Sequence, residues 1–255
     1  MELLGYPLWA IALICIGVFI ASCIDAIGGG GGIISVPIYL FAGLPAHLAL
    51  GTNKMSACIG TAASTWRYIK NGFVDWSLAL PAIALALVGS YFGTRLQLMA
   101  DENFLRYFLL LILPIVAFVI LKQKKLPEQR VDMKLSHRLG IIMAASLVVG
   151  VYDGFYGPGT GTFLLLIFCG PAKLDVRTAS GNVKLINLAS NIGSLITSLL
   201  AGKVLVPLGL LAAVFSIAGH YIGAGFTIKN GTKIVRPVII LVLLLLAVKT
   251  LLELL

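Results

Sequence analysis

Charge is what this sequence has least of. Asp, Glu, Lys and Arg together make up 11% of its 255 residues, against about a quarter in a soluble domain. Too few polar side chains remain to cover a water-facing surface, which excludes an ordinary soluble fold. Cysteine is sparse too. Cys15, Cys23, Cys58 and Cys169 all lie in apolar segments, with neither metal-ligand spacing nor a disulfide framework, and they read as small packing residues. The sequence has no Walker A pattern, so direct ATP hydrolysis is not expected, and no His/Glu metal motif. It calls for no cofactor and no metal.

Acidic residues are rarer than basic ones, ten against nineteen, for a net charge of +9. In a soluble protein that excess would suggest nucleic acid. Here the basic residues fall in the short gaps between apolar runs, as the positive-inside rule expects, so no nucleic-acid partner is expected.

What the chain has in abundance is apolar sequence: 59% of residues are hydrophobic and the mean hydropathy is +1.03. Several runs approach the ~20 apolar residues that span a bilayer. The first, Pro7–Ile24, has no small-residue cleavage site behind it and further spans follow, so it reads as a retained helix. The apolar stretches are Pro7–Ile27, Ile33–Gly43, Leu48–Tyr68, Trp76–Met99, Phe104–Leu121, Leu139–Val151, Thr162–Cys169, Ala179–Leu200, Val204–Phe226 and Val235–Leu254. The longest polar gap, Lys122–Arg138, carries six basic and two acidic residues. It divides the chain into a first transmembrane repeat (1–121), a basic cytoplasmic linker (122–138) and a second transmembrane repeat (139–255).

The halves match one another. At an offset of 130, Gly51 pairs with Gly181, Lys54 with Lys184, Ser64 with Ser194, Gly72 with Gly202, Gly89 with Gly219, Tyr91 with Tyr221 and Gly93 with Gly223. Near the start of each half the offset is slightly smaller: Asp25 pairs with Asp153, and Gly28, Gly30 and Gly32 with Gly157, Gly159 and Gly161. Matches among Gly, Lys and Asp in one nearly fixed register point to duplication. With the linker on the cytoplasmic side, and each glycine break counted as joining two crossings, the other basic loops also fall inside. Each half then has five elements, an odd number, and the repeats lie upside down relative to one another, with both termini outside. The expected fold is an all-α membrane protein. It is a polytopic helical bundle of two inverted repeats, each with a glycine-rich broken or re-entrant segment.

The two breaks are Asp25-Ala-Ile-Gly-Gly-Gly-Gly-Gly-Ile-Ile-Ser-Val-Pro37 and Asp153-Gly-Phe-Tyr-Gly-Pro-Gly-Thr-Gly161. Glycine at this density defeats a continuous helix, and freed backbone groups are costly in hydrocarbon unless they line a cavity or are buried in protein. Short interrupted segments at matching places in two halves point to a transporter's binding site. The helix N-termini that follow favour an anion. Candidate binding residues are Gly29, Gly30, Gly31, Gly32, Gly157, Gly159, Thr160 and Gly161, joined by Thr52, Asn53 and Lys54 in one half and Asn182, Lys184 and Asn187 in the other. Ser56 and Asn191 are further hydrogen-bonding neighbours. Lys54 and Lys184 either point inward, to neutralise an anion or pair with Asp25 and Asp153, or snorkel to the interface. Asp25 and Asp153 are candidates for proton coupling, with structural partnership as the alternative. His47 and His220 read as packing residues in preference to proton relays. A serine-protease pairing of Ser180 with His220 is disfavoured, because Ser180 aligns with Leu50 in the first half.

On these motifs the chain resembles the TauE/SafE family of sulfite-exporter-like membrane proteins. The resemblance rests on Asp25–Pro37, on Leu44-Pro-Ala-His-Leu-Ala-Leu-Gly-Thr-Asn53, and on Gly150–Gly161 followed by Ala179-Ser-Gly-Asn182. It implies export or uptake of small sulfur-containing or organic anions such as sulfite, sulfonates and sulfoacetate. The second break departs from an unbroken glycine run, so the two half-sites need not be equivalent. The expected function is a multi-pass secondary transporter of the cytoplasmic membrane that moves a small anion by alternating access. A coupling proton or sodium ion and assembly into a homo-oligomer are compatible with it. The alternatives are an anion channel and, further off, a membrane-embedded enzyme.

Overall fold

The structure is a computed structural model that describes residues 2–3, 5–101 and 131–241. The expected span Phe104–Leu121, most of the basic linker and the end of Val235–Leu254 lie outside the described residues. A short antiparallel ladder, β1 (Glu2–Leu3) with β2 (Tyr6–Pro7), precedes the helices, which are the other regular elements among the described residues. The helices are α1 (Leu8–Gly28), α2 (Gly32–Phe41), α3 (Ala46–Lys70), α4 (Trp76–Met99), α5 (Leu135–Phe155), α6 (Thr160–Cys169), α7 (Val176–Leu200) and α8 (Val206–Asn230). Helical backbone resumes over 232–241.

Five of these helices, α1, α4, α5, α7 and α8, are long and apolar enough to cross a membrane. The sixth long helix, α3, has 25 residues, a length of about 37 Å. Its mean hydropathy is lowered by a buried polar series that includes Thr52, Asn53, Lys54, Ser56, Thr61, Ser64 and Thr65. Those residues face the interior, so the helix is polar inward and apolar outward. Large side chains such as Trp66, Phe92, Val148, Ile196 and Val214 are exposed on the outer face of the bundle, where lipid replaces water as the solvent. The protein is an all-α, multi-pass membrane protein.

The two short helices have ten residues each, about 15 Å and half of a hydrocarbon core. They do not cross. α2 folds back on α1: Gly17 lies directly under the Ile38 side chain, and the Trp9 and Phe41 rings meet edge-on at 6.3 Å. α6 folds back on α5 in the same way, with the Tyr152 and Phe163 rings 5.6 Å apart. Arg138 Nε, near the start of α5, donates to Ala172 O just beyond the end of α6 at 2.9 Å. Each glycine break is therefore the tip of a re-entrant hairpin. The chain leaves by the side it entered, as two full crossings would have it do, although the second limb is too short to be a crossing.

Each hairpin packs on the other half of the chain. Gly219 and Gly223 of α8 lie against Phe19 O and Cys23 O of α1, and Gly89 and Gly93 of α4 lie against Leu147 O and Val151 O of α5. In both pairs the contact advances four residues on each helix together, so the helices run parallel. α3 and α7 run antiparallel: Gly51 sits on Lys203 O, just past the end of α7, and Gly181 on Phe73 O, just past the end of α3. At all these points any Cβ would collide with a carbonyl, so small residues allow the close approach that membrane helices use.

Candidate functional site

The two hairpin tips meet. Thr162 Oγ1 on the first turn of α6 donates to Gly28 O at 2.9 Å. Gly29 lies so close to the backbone of Gly161 and Thr162 that it has no room for a side chain, and its φ of +77° suits glycine. A Cβ on Gly32 would stand 3.2 Å from Pro158 Cα.

Two ion pairs cross between the halves beside the tips. Lys184 Nζ lies 2.5 Å from Asp25 Oδ2, and Lys54 Nζ lies 2.8 Å from Asp153 Oδ2. Each aspartate precedes its own glycine break and is neutralised by the lysine of the opposite half of the chain. The lysines are 7% and 2% exposed, so neither reaches the interface. Their charges need the partners, because an isolated ion at this depth is costly. Asp25 Oδ1 also accepts from the Gly31 N–H at 3.0 Å. Asp153 also accepts from Ser190 Oγ, and Lys54 also donates to Asn191 Oδ1 at 3.2 Å.

Around these pairs lies a cavity of about 50 Å³. That is room for a few waters or one small oxyanion, and far less than a drug-sized ligand needs. Its walls come from α1, α2, α3, the end of α5, the 156–161 tip, α7 and α8. Asn187 and Asn191 are the twelfth and sixteenth residues of the 25-residue α7, and Ser216 and His220 occupy the middle of α8. The cavity thus sits at mid-depth.

Of the residues singled out from the sequence, Gly31, Gly32, Asn53, Lys54, Gly157, Gly159, Thr160, Gly161 and Asn187 line this cavity, together with Asp25 and Asp153. Five do not. Gly29 is sealed against the opposite tip, and Gly30 serves the turn with φ +85°. Thr52 Oγ1 accepts from Leu205 N at 3.0 Å and ties α3 to the start of α8. Asn182 Nδ2 donates to Thr178 O in its own helix at 2.8 Å. Lys184 lies behind Asp25 and reaches the site through it. The cavity also takes in residues that were not candidates: Ser22, Ser35, Thr61, Tyr156, Ser216 and His220. Ser22 and Ser216 share a hydrogen bond of 2.8 Å. In the repeat register Ser216 and His220 face Ala86 and Ser90, and that departure from the repeat is the signal that could have found them. His220 Nδ1 bonds Ser64, not Ser180, so the protease pairing is not formed.

Comparison with known proteins gives a consistent result. A family profile described as "Sulfite exporter TauE/SafE" matches residues 13–250. The "Probable membrane transporter protein ORF9" of Sinorhizobium is 32% identical over 94% of this chain and 92% of its own length. The "Probable membrane transporter protein YfcA" of Escherichia coli K12 is 33% identical over 91% and 86%. A "Probable membrane transporter protein" of Haemophilus influenzae is 32% identical over 96% and 95%. No solved structure matches.

Proposed function

The chain belongs to the sulfite exporter TauE/SafE family and is a membrane transporter, not an enzyme; on that premise we propose that it is a secondary transporter for a small anion such as sulfite or an organosulfonate. The observation that carries this reading is the pair of crossed ion pairs beside a small polar cavity at mid-depth, between two glycine tips. The first turns of α2 and α6 offer backbone N–H groups and positive dipole ends at the cavity wall. Asn53, Asn187 and Thr160 add neutral polar contacts, and Lys54 a positive charge. Such a lining suits an oxyanion and has no feature that selects a large apolar solute.

In this reading residues 1–121 and 139–255 are two inverted repeats joined by the basic 122–138 linker, and one rocks against the other to give alternating access. The ion pairs bridge the two moving bodies, so an anion that competes for Lys54 loosens one bridge as it binds.

The test is a binding screen of purified protein against sulfite, thiosulfate, sulfonates and carboxylates, repeated with Lys54→Met. Wild-type protein is expected to bind at least one of these oxyanions, and the variant to bind it at least tenfold more weakly. Equal affinity in the two proteins would remove the lysine from the site. Unitary currents from reconstituted protein would replace the transporter reading with a channel.

A further inference from the structure

The formal charges around the cavity cancel. Lys54 and Lys184 contribute two positive charges, and Asp153 and Asp25 two negative ones. Both carboxylates are engaged, Asp25 by Lys184 and the Gly31 N–H, Asp153 by Lys54 and Ser190. The helix ends supply dipoles but no net charge. An anion placed here therefore adds one negative charge that nothing in the empty site offsets, and uncompensated charge within a membrane is expensive.

His220 is the group that the ion pairs leave unused. It is 2% exposed, lines the cavity and sits in the middle of α8. Its hydrogen bonds define its tautomer. Ser64 Oγ donates to Thr61 O at 2.9 Å, so the same hydroxyl accepts from His220 Nδ1, 3.2 Å away. Nδ1 therefore carries the hydrogen, and Nε2 is the bare nitrogen. Nε2 faces Asp25 Oδ2 at 3.9 Å, beyond hydrogen-bond reach but close enough for the carboxylate to stabilise an imidazolium. The charged groups that bear on the ring are Asp25 from α1 and Lys184 from α7. From α3 it meets neutral groups, the Ser64 hydroxyl and the Gly60 backbone, where a Cβ would lie 2.6 Å from the ring. The residue at the matching place in the first half is Ser90, whose hydroxyl is used within its own helix, on Leu87 O. The two-fold relation fails here, and the histidine occurs once.

Resting on the small-anion reading above, we propose that His220 is the proton carrier of this transporter, neutral in the empty cavity and protonated on Nε2 when a monoanion binds, so that one proton and one anion move together. No bond in the anion changes. The proton comes from bulk water, adds to Nε2 and leaves with the anion. This assigns coupling to His220 rather than to Asp25 or Asp153, which are both held as lysine partners.

Methanesulfonate is the probe, because it stays a monoanion across the neutral range. Its binding to purified full-length protein is measured by titration calorimetry in two buffers of different ionisation enthalpy, which counts the protons taken up. Wild-type protein is expected to absorb about one proton per anion, with affinity falling up to tenfold per pH unit as pH rises. The sign follows because the bound state holds the extra proton. His220→Gln keeps an N–H for Ser64 and is expected to bind more weakly, with no proton uptake and a flat pH profile. Its fold is checked by size-exclusion profile and melting temperature. If it does not fold, the wild-type proton count and pH slope decide alone. Binding by wild-type protein without proton uptake overturns the proposal and leaves the anion site standing, whereas uptake that persists in His220→Gln places the proton elsewhere and also overturns it. Failure of folded wild-type protein to bind methanesulfonate, sulfite or thiosulfate overturns the anion reading itself, and the proposal with it.

Discussion

Lys184 shows how far a single residue depends on another half a chain away. Its ammonium sits 2.5 Å from Asp25 at 2% exposure, and Asp25 itself is only 18% exposed. Lys184→Met removes the charge and most of the hydrogen bonding while keeping the volume. It leaves a buried carboxylate unpaired, a change that costs about 3–5 kcal/mol in other buried pairs. The expected outcome is a marked loss of stability in detergent, followed by denaturant or heat, and recovery of most of it in the double variant Asp25→Asn/Lys184→Met. A double variant no more stable than the single one would mean that the pair does not hold the fold. The four members of these pairs were all evident in the sequence, because the repeat register matches lysine to lysine and aspartate to aspartate. Their crossed pairing was not evident, since a register states which positions correspond and says nothing about which ones touch. His220 was not legible as a site residue, because a lone histidine in an apolar run resembles packing.

At the scale of the element, close packing rests on glycines set four residues apart. Gly93 of α4 sits on Val151 O of α5, and no side chain fits there. Gly93→Leu is expected to force the two helices apart and to cut the yield of folded protein severely. Gly140→Leu on α5 is the control, because nothing lies within 4 Å of a Cβ at that position; its yield and melting temperature should stay near wild type. Similar losses for both variants would point to a general intolerance of leucine and not to the α4–α5 contact. Helix positions were largely readable, since hydropathy and the glycine breaks mark where spans begin and end. The path of α2 and α6 was harder to read. Ten apolar residues fit a half-crossing or a hairpin limb equally well, and only contacts such as Tyr152 with Phe163 show the chain turning back.

For the whole molecule, the halves are interleaved. The α1–α2 hairpin of the first half lies on α8 of the second, and the α5–α6 hairpin of the second lies on α4 of the first. If the chain is cut within 122–138 and the pieces are produced together, they are expected to purify as one complex, whereas either piece alone should aggregate. A piece that is monodisperse and stable by itself would contradict this.

The glycine contacts that bind each hairpin to the opposite half have a consequence for ancestry. Each of these contacts has a counterpart in the other half, so on the inverted-repeat reading proposed above the cavity would need two copies of a repeat but no peptide bond between them. On that reading, a protein half this length that inserted into the membrane in both orientations would build the same enclosure as a pair of identical chains. Fusing the two copies then frees each to diverge. A histidine facing the cavity from one half only, as His220 does, is a change that a symmetric pair could not make.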